Sequence, residues 1–268
     1  MQTIPAFDDI AIERQGFVAV LEIRRPPLNF FDAMLIGHLA EVLEALDADA
    51  TCRAVVLCAS GKAFCAGADF SGGSLGVSGQ SGPDMGMIES LYGQALRLFE
   101  TRKPIVAAVH GAAIGGGLGL ALMADFRVSC ESARFSANFA RLGLHCGFGI
   151  SVTLPRLVGA NPAAMLLYTG RRLTGRQALA IGLADQLVDA GEVRQAAIAL
   201  ATEIAASAPM AVQDMRATLR AGLADQVRAV LQRELACQVV HTRHADFAEG
   251  VRASAERRLP QFKTPNLT

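Results

Sequence analysis

The alternation of apolar and polar positions divides the chain into two regimes. In the first, short apolar runs alternate with helical periodicity. Residues 17–23 (Phe17-Val18-Ala19-Val20-Leu21-Glu22-Ile23) read as a strand. Arg24-Arg25-Pro26-Pro27 closes it, because proline donates nothing to a ladder. Asp32 stands as an N-cap before Leu35, Leu39, Val42, Leu43 and Leu46, which recur at helical spacing. Residues 54–58 are apolar throughout, as in a strand buried on both faces. Strand, helix, strand is a βαβ unit and predicts parallel pairing. The pattern then recurs, with a helix over 87–100, a strand over 105–109 and a glycine-rich turn entering another helix. Short strands are predicted over 126–128 and 133–135. In the second regime the spacing is mostly helical. A helix starts at Thr174, a short strand covers Leu187-Val188, and helices follow over 192–206, from Pro209, over 227–240 and over 247–257. A soft boundary near residue 200 separates a core (1–200) from a C-terminal region (201–268) made only of helices.

The glycine turn draws the chain together. Ala112-Ala113-Ile114-Gly115-Gly116-Gly117 follows the buried strand and opens a helix. The first turn of a helix has unpaired N–H donors and the positive end of the macrodipole. Glycine lets a ligand approach that backbone closely. The turn is therefore a candidate anion or oxyanion site.

Composition narrows the class. Lys+Arg and Asp+Glu balance at 25 each, so no basic excess points to nucleic acid or a membrane surface. No apolar stretch is suited to a membrane span, and the start Met1-Gln2-Thr3-Ile4-Pro5 lacks the pattern of a signal peptide. Six scattered cysteines without a Cys-x-x-Cys pair imply reduced thiols, a cytoplasmic location, and neither a disulfide framework nor a metal site. The tract 71–86, rich in Gly and Ser, is expected to be a mobile loop or lid. It contains a Gly-x-Ser-x-Gly match at Ser74, but without the flanking strand and helix that a nucleophile elbow requires. The triple glycine is not a dinucleotide fingerprint, since Leu120 occupies the last glycine position.

With these stretches in view, the chain resembles the enoyl-CoA hydratase/isomerase (crotonase) superfamily. Gly61-Lys62-Ala63-Phe64-Cys65-Ala66-Gly67-Ala68-Asp69 is similar to its first signature, and Lys103 to Gly111 with Gly115-Gly116-Gly117 to its second. Ala133-Arg134-Phe135, Leu154-Pro155-Arg156, Gly182-Leu183-Ala184, Glu249-Gly250 and Arg257-Arg258 extend the likeness over roughly residues 8 to 262. The resemblance implies an α/β fold: a spiral of ββα turns with a C-terminal helical region that builds homotrimers or hexamers. It implies an acyl-CoA thioester as ligand, with coenzyme A arriving as part of the substrate and no bound cofactor. The family's oxyanion hole falls on the N–H groups of Ala68 and Gly116. Its adenine contacts fall around Ala66 and Phe70, and C-terminal basic residues, Lys263 among them, are assigned to the phosphates.

The chain departs from the family where protons move. The two glutamates of the hydratases fall on Gly119 and Phe139, and the aspartate of some isomerases and of the dehalogenases falls on Gly147. None of these side chains transfers a proton, whereas one positioned acid or base is worth roughly 10²–10⁴-fold. His145, in the turn His145-Cys146-Gly147-Phe148-Gly149, and Tyr92, beside the loop, are the candidate replacements. Asp69 and Asp125 are expected to be structural, Cys146 a small buried hydrophobe, and His110 a cap on its own turn. The sequence thus leads to an enzyme that stabilises a thioester enolate or oxyanion with non-standard proton transfer. The alternatives are a non-catalytic acyl-CoA-binding protein and an acyl-CoA hydrolase. Phe139 and Phe148 would suit a bulky aromatic or alicyclic acyl group.

Overall fold

The computed structural model describes residues 4–69 and 85–263. Two sheets share the chain in a repeating way. The antiparallel pair β1 (Ile10–Gln15) and β2 (Val18–Ile23) leads into α1 (Ala33–Ala48). Then β3 (Ala54–Ala59), β4 (Ala63–Cys65) and α2 (Met85–Phe99) make one turn. The next turn is β5 (Ile105–Val109), β6 (Ala112–Ile114) and α3 (Gly116–Met123). A third is β7 (Phe126–Ser129), β8 (Arg134–Ser136) and α4 (Ile150–Val158). The first strand of each turn joins a six-stranded sheet ordered β1-β2-β3-β5-β7-β10. The second joins a four-stranded sheet ordered β4-β6-β8-β9. The expected spiral of ββα turns is therefore the fold, and β2, β3, β5 and β7 pair in parallel.

Local chemistry explains the elements. Asp32 caps α1, its carboxylate accepting from the Leu35 N–H at 2.8 Å. Val20, Val56, Leu57 and Val106 are fully buried, which is why their strands carry no polar alternation. Thr174 and Gln177 form a reciprocal capping box at the start of α6 (Gly175–Ala180). Three elements were not separated by the hydrophobic pattern. β1 carries polar residues on its exposed side, and β4 and β6 are only three residues long.

After α5 (Ala160–Thr169), β9 (Leu173–Thr174) and β10 (Gln186–Leu187), the chain is helical. α7 (Val193–Ala206) packs against β2, β3, β5 and β7. The boundary expected at residue 200 thus falls inside a helix that belongs to the core. α8 (Pro209–Leu219), α9 (Leu223–His241) and α10 (Ala245–Ala255) follow. Two arginines lock the spiral. Arg127, 1% exposed, pairs with Asp185 at 2.7 Å and donates to the carbonyls of Leu183 and Ala124. Arg216 of α8 pairs with Asp125 at 2.8 Å, while the same carboxylate accepts the Ile105 N–H. Asp125 is in this way a structural acid, as expected.

Replacing Arg127 with Met strips the Asp185 partner and leaves two buried carbonyls unpaired. The expected loss is about 2–3 kcal/mol, below the fully buried range because Asp185 keeps access to water. A urea unfolding midpoint unchanged from wild type would contradict it.

Candidate active site

The site begins where two short parallel strands end together. β4 and β6 pair with Ala63 opposite Ala112 and Cys65 opposite Ala113. Their extensions therefore run side by side: Ala66-Gly67-Ala68-Asp69 beside Gly115-Gly116-Gly117. The approach is close enough to require glycine. A Cβ on Gly117 would lie 2.0 Å from the Cys65 carbonyl oxygen, and one on Gly67 2.8 Å from that of Ile114. Gly67 and Gly115 also hold φ of 88° and 55°, where side chains are strained. The Phe31 ring covers the turn from the other side, 2.3 Å from where a Gly116 Cβ would stand.

Hydrogen bonds consume part of this backbone but not all of its donors. The Ala66 N–H donates to Leu28, the Phe31 N–H to Gly67, and the Gly115 N–H to Ser136. Gly116 is the first residue of α3 and has no carbonyl a turn earlier to bond. Among the described residues, no backbone bond engages the N–H of Ala68 or of Gly116. Both residues line a cavity of about 540 Å³.

The rest of that cavity is largely apolar. Leu28, Phe31, Ile88, Leu91, Phe139, Leu144 and Phe148 contribute to its wall. The positions where the resemblance led one to expect acids carry or face aromatic groups. A Cβ on Gly119 would lie 2.8 Å from the Phe148 Cβ, so Phe148 occupies the space into which an acid from α3 would project. A Cβ on Gly147 would lie 2.0 Å from the Tyr92 hydroxyl. Phe139 itself lies on the lining. Phe148 reaches its position through an unusual backbone, φ 62°, and its ring meets that of Phe31 at 5.4 Å between centroids.

Tyr92 lines the cavity, and its hydroxyl donates to Gln238 Oε1 at 2.9 Å. Burial, helped by the nearby Glu234 carboxylate, pushes its phenol well above the ordinary tyrosine value. It is a neutral group there, with its proton already directed at Gln238. His145 is placed differently from expectation. It is not among the cavity-lining residues, and its Nδ1 lies 2.8 Å from the Cys146 carbonyl oxygen. This turn contact is the reason its ring does not enter the cavity. Cys146 is buried, and desolvation, followed by Glu234, pushes its thiol up to about 12. Ala66 lines the cavity, whereas Lys263 lies in a separate surface recess with Glu249, Arg258 and Gln261. His110 Nε2 lies 3.1 Å from the Gly61 carbonyl oxygen. Phe70, Ser74 and most of the tract 71–86 lie outside the described residues. No group of three or more His, Cys, Asp or Glu among the described residues is arranged to hold a metal ion.

Sequence reasoning missed the clamp on the 145–149 turn. Glu234, Gln238 and His241 stand on successive turns of α9. Glu234, fully buried, accepts from Gly149 N–H at 2.9 Å and Ser151 Oγ at 2.6 Å. Gln238 donates to the His145 carbonyl at 2.9 Å, and His241 Nδ1 accepts the His145 N–H at 2.8 Å. Their i, i+4, i+7 spacing in an otherwise weakly amphipathic helix was the available signal. Burial raises the Glu234 carboxyl, opposed by those donors. Asn29 was also missed. It is fully buried at φ 50°, donates to the carbonyls of Ser60 and Ala63, and so fixes the segment that presents Phe31.

Comparison with known proteins gives the family. The family model for enoyl-CoA hydratase/isomerase matches residues 13–265. A probable enoyl-CoA hydratase of Bacillus subtilis is 32% identical over 257 residues, covering 95% of this chain and 98% of that protein. The 1,2-epoxyphenylacetyl-CoA isomerase of Escherichia coli is 33% identical over 248 residues, covering 91% and 94%. Among solved structures, an enoyl-CoA hydratase/isomerase from Pseudoalteromonas atlantica superposes with a TM-score of 0.83 at 32% identity, covering 96% of this chain and all of that one. The chain belongs to the enoyl-CoA hydratase/isomerase family, a family of lyases and isomerases, and has its crotonase fold.

Two outcomes follow from the packing. Gly119→Glu is expected to lose about 1–3 kcal/mol from overpacking against Phe148. Adding Phe148→Ala should restore much of that loss in the double variant. Equal destabilisation in single and double variants, read by urea unfolding, would refute the coupling. The second concerns pH. His241 accepts from His145 only while neutral, and burial, then His145 and His244, hold its pKa below 6.5. A lowered folded value means that this stability is full above about pH 6.5 and lost as pH falls through it. The unfolding midpoint should drop between about pH 7.5 and about pH 5.5, and drop less in His241→Asn.

Proposed function

We propose that this family member binds an acyl-CoA thioester and stabilises its enolate or oxyanion with the N–H groups of Ala68 and Gly116. The observation that carries the reading is the pair of unbonded donors at one end of an apolar cavity. Charge develops on the thioester oxygen when an enolate forms. Fixed donors in a water-poor site favour that charge more in the transition state than in the ground state. Coenzyme A enters with the substrate, and no bound cofactor is invoked. Tyr92 is retained as a group that orients the acyl part, whereas the placement of His145 favours a structural part for it. Phe70 and Lys263 are kept as adenine and phosphate contacts.

The acyl group is proposed to be bulky, aromatic or alicyclic. Phe31, Phe139 and Phe148 line the cavity with rings, Phe139 in the place of one hydratase glutamate and Phe148 against the place of the other. The Escherichia coli relative, whose name specifies a phenylacetyl thioester, supports that direction. Two-glutamate hydration is disfavoured, because Gly119 and Phe139 stand in the places of those acids and Phe148 closes the space beside Gly119. Exposed Met165, Tyr168, Met210, Met215 and Leu219 suit a homotrimer or hexamer. Six free cysteines suit a reducing, cytoplasmic setting. The filled acid positions also favour one second reading, a protein that binds acyl-CoA without turning it over.

The test is a panel of acyl-CoA thioesters. A short trans-2-enoyl-CoA, followed by loss of its conjugated absorbance, is expected to react slowly or not at all. Aryl and alicyclic thioesters are expected to turn over. Ala68→Pro, which deletes one N–H, should lower kcat about 10²–10³-fold with a smaller effect on binding. Binding of every thioester with no product from any would decide for the non-catalytic reading.

A further inference from the structure

We infer that the cavity carries a second recognition site, for an anionic oxygen group on the thioester ligand, formed by Arg134 and Arg172. The inference rests on the proposed acyl-thioester reading. Both arginines line the same cavity as Ala68 and Gly116. Arg134 opens β8, and Arg172 immediately precedes β9, which pairs with β8 antiparallel. The register sets Arg134 opposite Thr174 and Phe135 opposite Leu173. Continued by one residue, it makes Arg134 and Arg172 diagonal neighbours on one face, about 7–8 Å apart at the backbone.

Neither charge is neutralised. Arg134 donates only to the backbone carbonyls of Glu131 and Ala133, at 3.0 and 2.8 Å. Among the described residues, no hydrogen bond or ion pair engages Arg172. The nearest acid in sequence, Glu131, is paired with Arg176 at 3.1 Å. Asp69 is the one carboxylate on the described cavity lining, and it sits on the β4 extension beside Ala68. In the sheet order β4-β6-β8-β9, that extension is two strands from β8, about 10 Å. In a chain with equal numbers of acidic and basic residues, two unpaired guanidinium groups on an apolar cavity form a local excess of charge. A guanidinium presents a planar fork that matches a carboxylate or a phosphate.

The ligand class is therefore a thioester with an anionic group. The group is either a carboxylate at the far end of the acyl chain or a phosphate of the carrier. The separation from Ala68 suits a carboxylate carried at the far end of the acyl group.

Calorimetric titration with four ligands tests this: glutaryl-CoA, pentanoyl-CoA, and the pantetheine thioesters of both acyl groups. They are titrated into wild type and Arg134→Gln/Arg172→Gln. Both side chains are exposed, so the double variant should melt as wild type does. If the acyl carboxylate is bound, wild type prefers glutaryl over pentanoyl about tenfold on either carrier, and the variant loses that preference. If a phosphate is bound, the variant weakens about tenfold for both CoA thioesters and for neither pantetheine thioester. Either result supports the site. A variant that binds all four ligands like wild type overturns it while leaving the oxyanion reading intact. If wild type binds none of the four, this site falls, and the acyl-thioester reading falls with it only if an aryl-CoA thioester titrated alongside also fails to bind.

Discussion

The close approach of the β4 extension to the start of α3 is the constraint on which the rest of the molecule depends. The Cys65 carbonyl oxygen comes so near Gly117 that no side chain fits between them. Each ββα turn delivers one strand to each sheet, and parallel pairing brings the ends of β4 and β6 to one edge. The backbone there must leave its ladder, and two positive-φ glycines let it do so. The N–H groups of Ala68 and Gly116 then have no backbone partner among the described residues, and both residues line a cavity. A buried donor without a partner costs free energy in most contexts. Here both residues are half-buried on the cavity wall, and the surrounding packing holds their backbone in place.

The aromatic side chains around those donors act as a set. Phe31 presses on Gly116, Phe148 on Gly119, and Tyr92 on Gly147. Each meets a glycine whose missing side chain makes room for it. Ring volume and missing side chains are therefore matched at these positions, and a side chain on any of the three glycines would meet a ring. This differs from a site in which an acid has simply been deleted, where a gap or a water would mark its place. An apolar lining of this kind also strengthens every electrostatic interaction left within it, including those made by the two free N–H groups.

Much of the fold was legible in the sequence. Buried strands such as 54–58 and 105–109 announce themselves as unbroken apolar runs, and Asp32 and Thr174 mark helix starts through capping chemistry. β1, β4 and β6 were not legible, because three-residue strands and a half-exposed hairpin have too little periodicity to count. Of the site, Ala66, Ala68 and Gly116 were found through signatures, and the structure brings all three to one cavity. His145 was singled out by its sequence adjacency to Gly147, which says nothing of which way a ring turns, and it is not among the cavity-lining residues. Its carbonyl contact within the turn decides that. Arg134 and Arg172 are 38 positions apart in the chain and meet only through the β8–β9 register, which no local pattern reveals.

The same reasoning changes the standing of the C-terminal helices. A division near residue 200 treats them as an appendage, but α9 brings three polar residues on one stripe to the turn beside the cavity, and Gln238 among them lines it. Glu234 holds the start of α4, Gln238 holds the His145 carbonyl together with the Tyr92 hydroxyl, and His241 holds the His145 N–H. Polar groups are costly to bury, and here all three bond one five-residue turn or the helix that follows it, Gln238 tying in Tyr92 as well. That turn needs them, because Phe148 sits at a positive φ that the chain does not adopt unaided. The energy that holds Phe148 against Gly119 is therefore supplied partly from α9. The apolar character of the cavity is in that sense a property of the whole chain, not of the spiral alone.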